Sequence, residues 1–71
     1  MSLYEMEVAL LDGFILSYVD EDYTQCDIKY VGGNTVKQTL YETFENTYRY
    51  CEMSNLLMEL ENNNINIDIL N

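Results

Sequence analysis

The stretch GGNTVKQTLYETFENTYRYCEMSNLLMELENNN, residues 32–64, is the one whose reading decides the fold. Gly32-Gly33 marks a turn, and Asn34 or Thr35 can cap a helix by accepting hydrogen bonds from the free N–H groups of its first turn. From there Val36, Leu40, Phe44, Tyr48 and Cys51 recur at intervals of 4, 4, 4 and 3 residues, the spacing of one helix face. Tyr50, Met53, Leu57 and Leu60 recur at 3, 4 and 3, but at about 100° per residue they lie on roughly the opposite face. One reading is a long continuous helix with a second apolar stripe left over. The other is a break at Ser54-Asn55 that turns the last helical turns back onto the chain's own core. The continuous helix is the expectation carried forward, and Asn62-Asn63-Asn64 ends it, because Asn tolerates the left-handed conformation at a helix C-terminus.

On the N-terminal side, Tyr4, Met6, Val8 and Leu10 alternate with Glu5 and Glu7, the period of a half-buried strand. Asp12-Gly13 follows, and Asp-Gly between apolar runs signals a type I′ hairpin turn, with Phe14 to Val19 as the return strand. The rival is a helix, with Ser2-x-x-Glu5 as a capping box and Tyr4, Val8, Leu11, Ile15 and Tyr18 at helical spacing. Gly13 decides for the hairpin, since a helix loses about 0.8 to 1 kcal/mol by carrying Gly in place of Ala. After the polar break Asp20-Glu21-Asp22, the segment Thr24 to Val31 alternates with Cys26, Ile28 and Tyr30 on one face. Beyond residue 64, Ile65, Ile67 and Ile69 alternate with Asn66 and Asp68. The expected fold is therefore α+β: a small, mostly antiparallel single-layer sheet in the order strand, strand, strand, helix, strand. One long helix packs on one face, and residues 1–71 form a single domain.

A chain of 71 residues removes only roughly 60% of its unfolded surface from water on folding, so a second copy or a partner would add to a marginal stability. With 48% apolar residues it is too hydrophobic for the disordered class despite a net charge of -10. No apolar run approaches the ~20 residues of a membrane span, and the N-terminus lacks a signal-peptide pattern. A cytoplasmic protein with no membrane association is expected. Thirteen acids against three bases also argue against direct binding of nucleic acid.

The chain has no histidine, which removes the most versatile general base and the usual partner of a Ser or Cys nucleophile. Gly32-Gly33-Asn34-Thr35-Val36-Lys37 does not match a phosphate-binding loop and reads as a turn. A calcium loop starting at Asp20 would need Gly at Gln25 and Glu at Val31, so it lacks both its turn and its bidentate ligand. Cys26 and Cys51 form no C-x-x-C and read as free, small apolar residues. The expectation is a non-enzymatic protein without cofactor or metal.

What remains is acid and tyrosine. Glu45, Glu52 and Glu59 recur every seven residues, so a continuous helix would align them about 10.5 Å apart, with Glu42 beside the line. Of seven tyrosines, Tyr30 and Tyr48 read as core edge, while Tyr23 and Tyr41 lie off the main stripe and suit an interface, as Tyr joins an apolar body to a polar tip. Glu42, Glu45, Glu52, Glu59, Tyr23 and Tyr41 are thus expected to meet a basic surface on another protein. Tyr50, Met53, Leu57 and Leu60 are expected to pair two copies into a homodimer. In size and charge the chain resembles the small acidic DNA-mimicking inhibitors, anti-CRISPR and anti-restriction proteins among them, a resemblance of composition carried by no motif. It implies a phage or mobile-element inhibitor acting on a nucleic-acid-binding protein; the alternative is a homodimeric accessory protein.

Overall fold

The computed structural model describes all 71 residues, in the order α1 (Leu3–Leu11), β1 (Ile15–Val19), β2 (Gln25–Gly32), β3 (Thr35–Tyr41), β4 (Asn46–Glu52), α2 (Met53–Asn62) and β5 (Asp68–Leu70). The five strands make one antiparallel sheet in the order β4-β3-β2-β1-β5. Met6 and Leu10 of α1 and Met53, Leu57 and Leu60 of α2 share one core with Leu16, Ile28 and Val36, so both helices cover the same sheet face. The α+β class and the antiparallel sheet are as expected. The single long helix is not: the two helices are short, and only α2 lies within the span expected for it.

The N-terminal segment is a helix, not the first strand of a hairpin. Ser2 Oγ accepts from the Glu5 N–H at 3.1 Å while Glu5 Oε1 accepts from the Ser2 N–H at 3.2 Å, a reciprocal capping box. Gly13 keeps its positive φ of 93° but uses it to end α1. Its N–H donates to Leu10 O and the Phe14 N–H to Ala9 O, both at 3.0 Å, the paired bonds of a Schellman ending. A left-handed glycine serves a hairpin and a helix C-terminus equally, so Asp12-Gly13 could not separate them. Asn64, with φ of 52°, ends α2 in the same way: its N–H donates to Glu61 O and that of Ile65 to Leu60 O.

The larger correction is at residues 35–52, where β3 and β4 form a hairpin in place of the expected helix. An interval of four residues is even, so Val36 and Leu40 share a face of a strand as well as of a helix. What favours strands is the run of β-branched and aromatic residues: Thr35, Val36, Thr39, Tyr41, Thr47, Tyr48 and Tyr50. The turn at Glu42–Glu45 contains no positive-φ residue, so it required neither Gly nor Asn and left no mark in the sequence. Phe44, assigned to the core stripe of the helix, sits in this turn with 98% of its surface exposed, and Tyr48 is 61% exposed.

The chain turns into α2 immediately after β4, one residue before Ser54-Asn55. Met53, Leu57 and Leu60 are buried in the chain's own core and are not a free self-association stripe, while Tyr50 lies exposed on β4. Asn34 does cap a helix, but the one twenty residues later: its Oδ1 accepts from the Ser54 N–H at 3.1 Å and its Nδ2 donates to Ser54 Oγ at 2.9 Å. No helix is long and apolar enough to cross a membrane.

Candidate protein-binding end

Two turns emerge side by side at one end of the sheet, because Gln25 at the start of β2 pairs with Tyr41 at the end of β3. In the first, Asp20 Oδ1 accepts from the N–H groups of Asp22 and Thr24, each at 2.9 Å, and Asp20 O accepts from the Tyr23 N–H at 3.1 Å. The carboxylate of Asp20 thus builds the turn, an Asx arrangement. Tyr23 is held at φ of 61° with 90% of its surface exposed. A bulky residue with positive φ is an outlier among non-glycine residues. The second turn carries Phe44 at its tip, and Thr47 Oγ1 donates to Glu42 Oε1 at 3.1 Å across its base.

Between the turns lies an open cleft lined by Asp22, Tyr23, Tyr41, Glu42, Phe44 and Glu45. Four of the residues expected at a partner surface, Glu42, Glu45, Tyr23 and Tyr41, therefore come together. The other two do not. Glu52 lies at the far end of β4, and Glu59 on α2 lines a neighbouring cleft with Asp20, Glu21, Asp22 and Arg49. The seven-residue line of carboxylates is dissolved, since Glu45, Glu52 and Glu59 sit in a turn, a strand and a helix. Reasoning from sequence missed Phe44, which it buried, and the acids of residues 20–22, which it treated as a solvated break. The neighbouring polar residues of 42–45 were the available signal for Phe44.

Charge is divided between the two sheet faces. The face without helices carries Lys29 and Lys37 with Asp27, Glu52 and Asp68, close to neutral by the strand registers. The other ten carboxylates, with Arg49 as their one side-chain cation, lie in the turns, in the helices or on their flanks. On the open face Tyr41 OH donates to Asp27 Oδ2 at 3.0 Å, and that carboxylate holds the Tyr41 phenol above its usual range. Lys37 Nζ sits 4.4 Å from the centre of the Tyr48 ring, a cation–π contact.

Beneath the helices, the one buried polar side chain, Gln38, is satisfied at both ends. Its Nε2 donates to Tyr18 Oη at 2.6 Å and its Oε1 accepts from Arg49 Nε at 2.7 Å. Burial raises the Tyr18 phenol far above its usual range and pushes the Cys26 thiol up to about 11, helped by the Asp20 carboxylate. Both groups are neutral near neutral pH. No three His, Cys, Asp or Glu side chains are arranged to hold a metal ion. No protein-family model matches the chain, and no match was found to a curated protein or a solved structure.

Proposed function

We propose that the chain is a non-enzymatic binding module whose turn end, Asp20–Thr24 with Tyr41–Glu45, docks on a basic surface of another protein. The observation that carries this is the presence of Tyr23 and Phe44, 90% and 98% exposed, on one open cleft lined also by Asp22, Glu42 and Glu45. Aromatic side chains that enter partner pockets supply most of the energy of an interface, and the charges at its rim steer encounter and choose the partner. A free aromatic pair of this kind forfeits burial that a partner would provide. The backbone strain at Tyr23 fits the same reading, as such strain clusters at functional sites. The charge of -10 selects a cationic partner, and an inhibitor that occupies a nucleic-acid-binding surface is the form of this activity that the charge favours.

The test is capture from the native host with the unaltered chain, with Tyr23→Ala/Phe44→Ala and with Glu42→Lys/Glu45→Lys. A partner retained by the unaltered chain, released by salt, and lost with both variants supports the reading. Nucleic acid competing for the captured partner supports the inhibitory form. A partner held equally by all three chains overturns it.

A further inference from the structure

The last strand of the sheet, β4, has a neighbour on one side only. At the mouth of its hairpin the Glu42 N–H donates to Glu45 O at 3.1 Å. Antiparallel pairs alternate along a strand, so Thr47, Arg49 and Cys51 direct their backbone groups to β3. Asn46, Tyr48, Tyr50 and Glu52 direct theirs outward, to no strand. Sheet edges are ordinarily protected by proline, charged side chains, bulges or shortness; the charges on β4 are Arg49, whose Nε donates to Gln38 Oε1, and Glu52 at the strand's end. The opposite edge, β5, is three residues long, but β4 has seven, contains neither Pro nor Lys, and keeps an unbroken register with β3 from Asn46 to Glu52.

We infer that β4 pairs with β4 of a second copy about a two-fold axis, joining two five-stranded sheets into one of ten. A register centred on Arg49 keeps all seven residues paired. It sets Asn46 opposite Glu52, Thr47 opposite Cys51 and Tyr48 opposite Tyr50, and makes the outward-facing residues the hydrogen-bonded pairs. No carboxylate faces a carboxylate, in a chain of charge -10. Tyr48 and Tyr50, already edge to face with ring centres 5.9 Å apart, gain aromatic neighbours across the axis. Arg49 faces its own copy, yet the cleft beside it is lined by Asp20, Glu21, Asp22 and Glu59. Each copy therefore holds an excess of carboxylate where the second guanidinium arrives, and the charges there are complementary. This edge is separate from the Tyr23–Phe44 cleft, so pairing through it requires no partner protein.

Sedimentation equilibrium across the micromolar range, with amide exchange on the same samples, tests the pairing. The expected result is a mass of twice 8.4 kDa and slow, concentration-dependent exchange at the Tyr48 and Tyr50 amides, with Ile28 as the core reference. Tyr50→Pro removes only an outward N–H, which an edge strand tolerates. It should weaken the dimer roughly tenfold or more through two lost hydrogen bonds, whereas Tyr50→Val, which keeps the donor, should still pair. A monomer at every concentration overturns the inference, as does a dimer that Tyr50→Pro leaves intact. If that variant unfolds, the unaltered chain decides: free exchange at Tyr48 and Tyr50 in the dimer also overturns it.

Discussion

Tyr23 concentrates the conflict between stability and use at a single residue. Its φ of 61° costs a non-glycine residue about 1–2 kcal/mol, and its exposed ring repays none of this in the isolated chain. Tyr23→Gly removes the strain but adds about 0.5–1 kcal/mol of unfolded-state entropy. The net expectation is a gain between zero and about 1.5 kcal/mol, at roughly 4–8 °C of Tm per kcal/mol for a domain of this size. The same variant should bind the partner more weakly. A lower Tm, or unchanged affinity, would show that Tyr23 is held there for another reason. The sequence marks Tyr23 as a residue suited to an interface but not its left-handed backbone, because Tyr is not a residue that turns demand; Asp20, which is, reads directly as a turn former.

At the level of elements, local signals that name a conformation survived and periodicities that fit two conformations did not. Ser2-x-x-Glu5, passed over for the hairpin because of Gly13, is the capping box of α1, and Asn62-Asn63-Asn64 ends α2 as expected. The interval of four in Val36–Leu40–Phe44–Tyr48 fits a helix face and a strand face alike, and the Glu42–Glu45 turn between the strands uses ordinary backbone angles. The phase change near Cys51, by contrast, was legible as a break, and the structure takes that alternative. Its consequence is measurable at Leu57, which is 1% exposed. On a free helix face Leu57→Ala would alter stability by less than about 0.5 kcal/mol. In the core it should cost about 2–5 kcal/mol, a large part of the 5–15 kcal/mol typical of a whole domain. Urea denaturation of the variant distinguishes the two.

For the molecule as a whole, thirteen acids against three bases set salt against salt. Raising ionic strength from ~0.01 M to 0.15 M shortens the screening length from about 30 Å to 8 Å, which relieves self-repulsion in the compact state. Tm should rise, on the order of 5 °C for a change near 1 kcal/mol, while affinity for a basic partner falls over the same range. A Tm that falls with salt would mean that attractive charge pairs outweigh the repulsion. The sequence by itself determined the class of fold, the positions of β1 and β2, the C-terminal end of α2 and the net acidity of the chain, because alternation, capping chemistry and charge are local or additive. Tertiary structure decided that residues 35–52 pair as strands, that α2 spends its apolar stripe on the chain's own core, and which carboxylates stand together. Those outcomes depend on which faces meet across the sheet: Val36 is buried in the core that α1 and α2 share, and Tyr23 and Phe44 line one cleft because the Gln25–Tyr41 register brings their turns to one end.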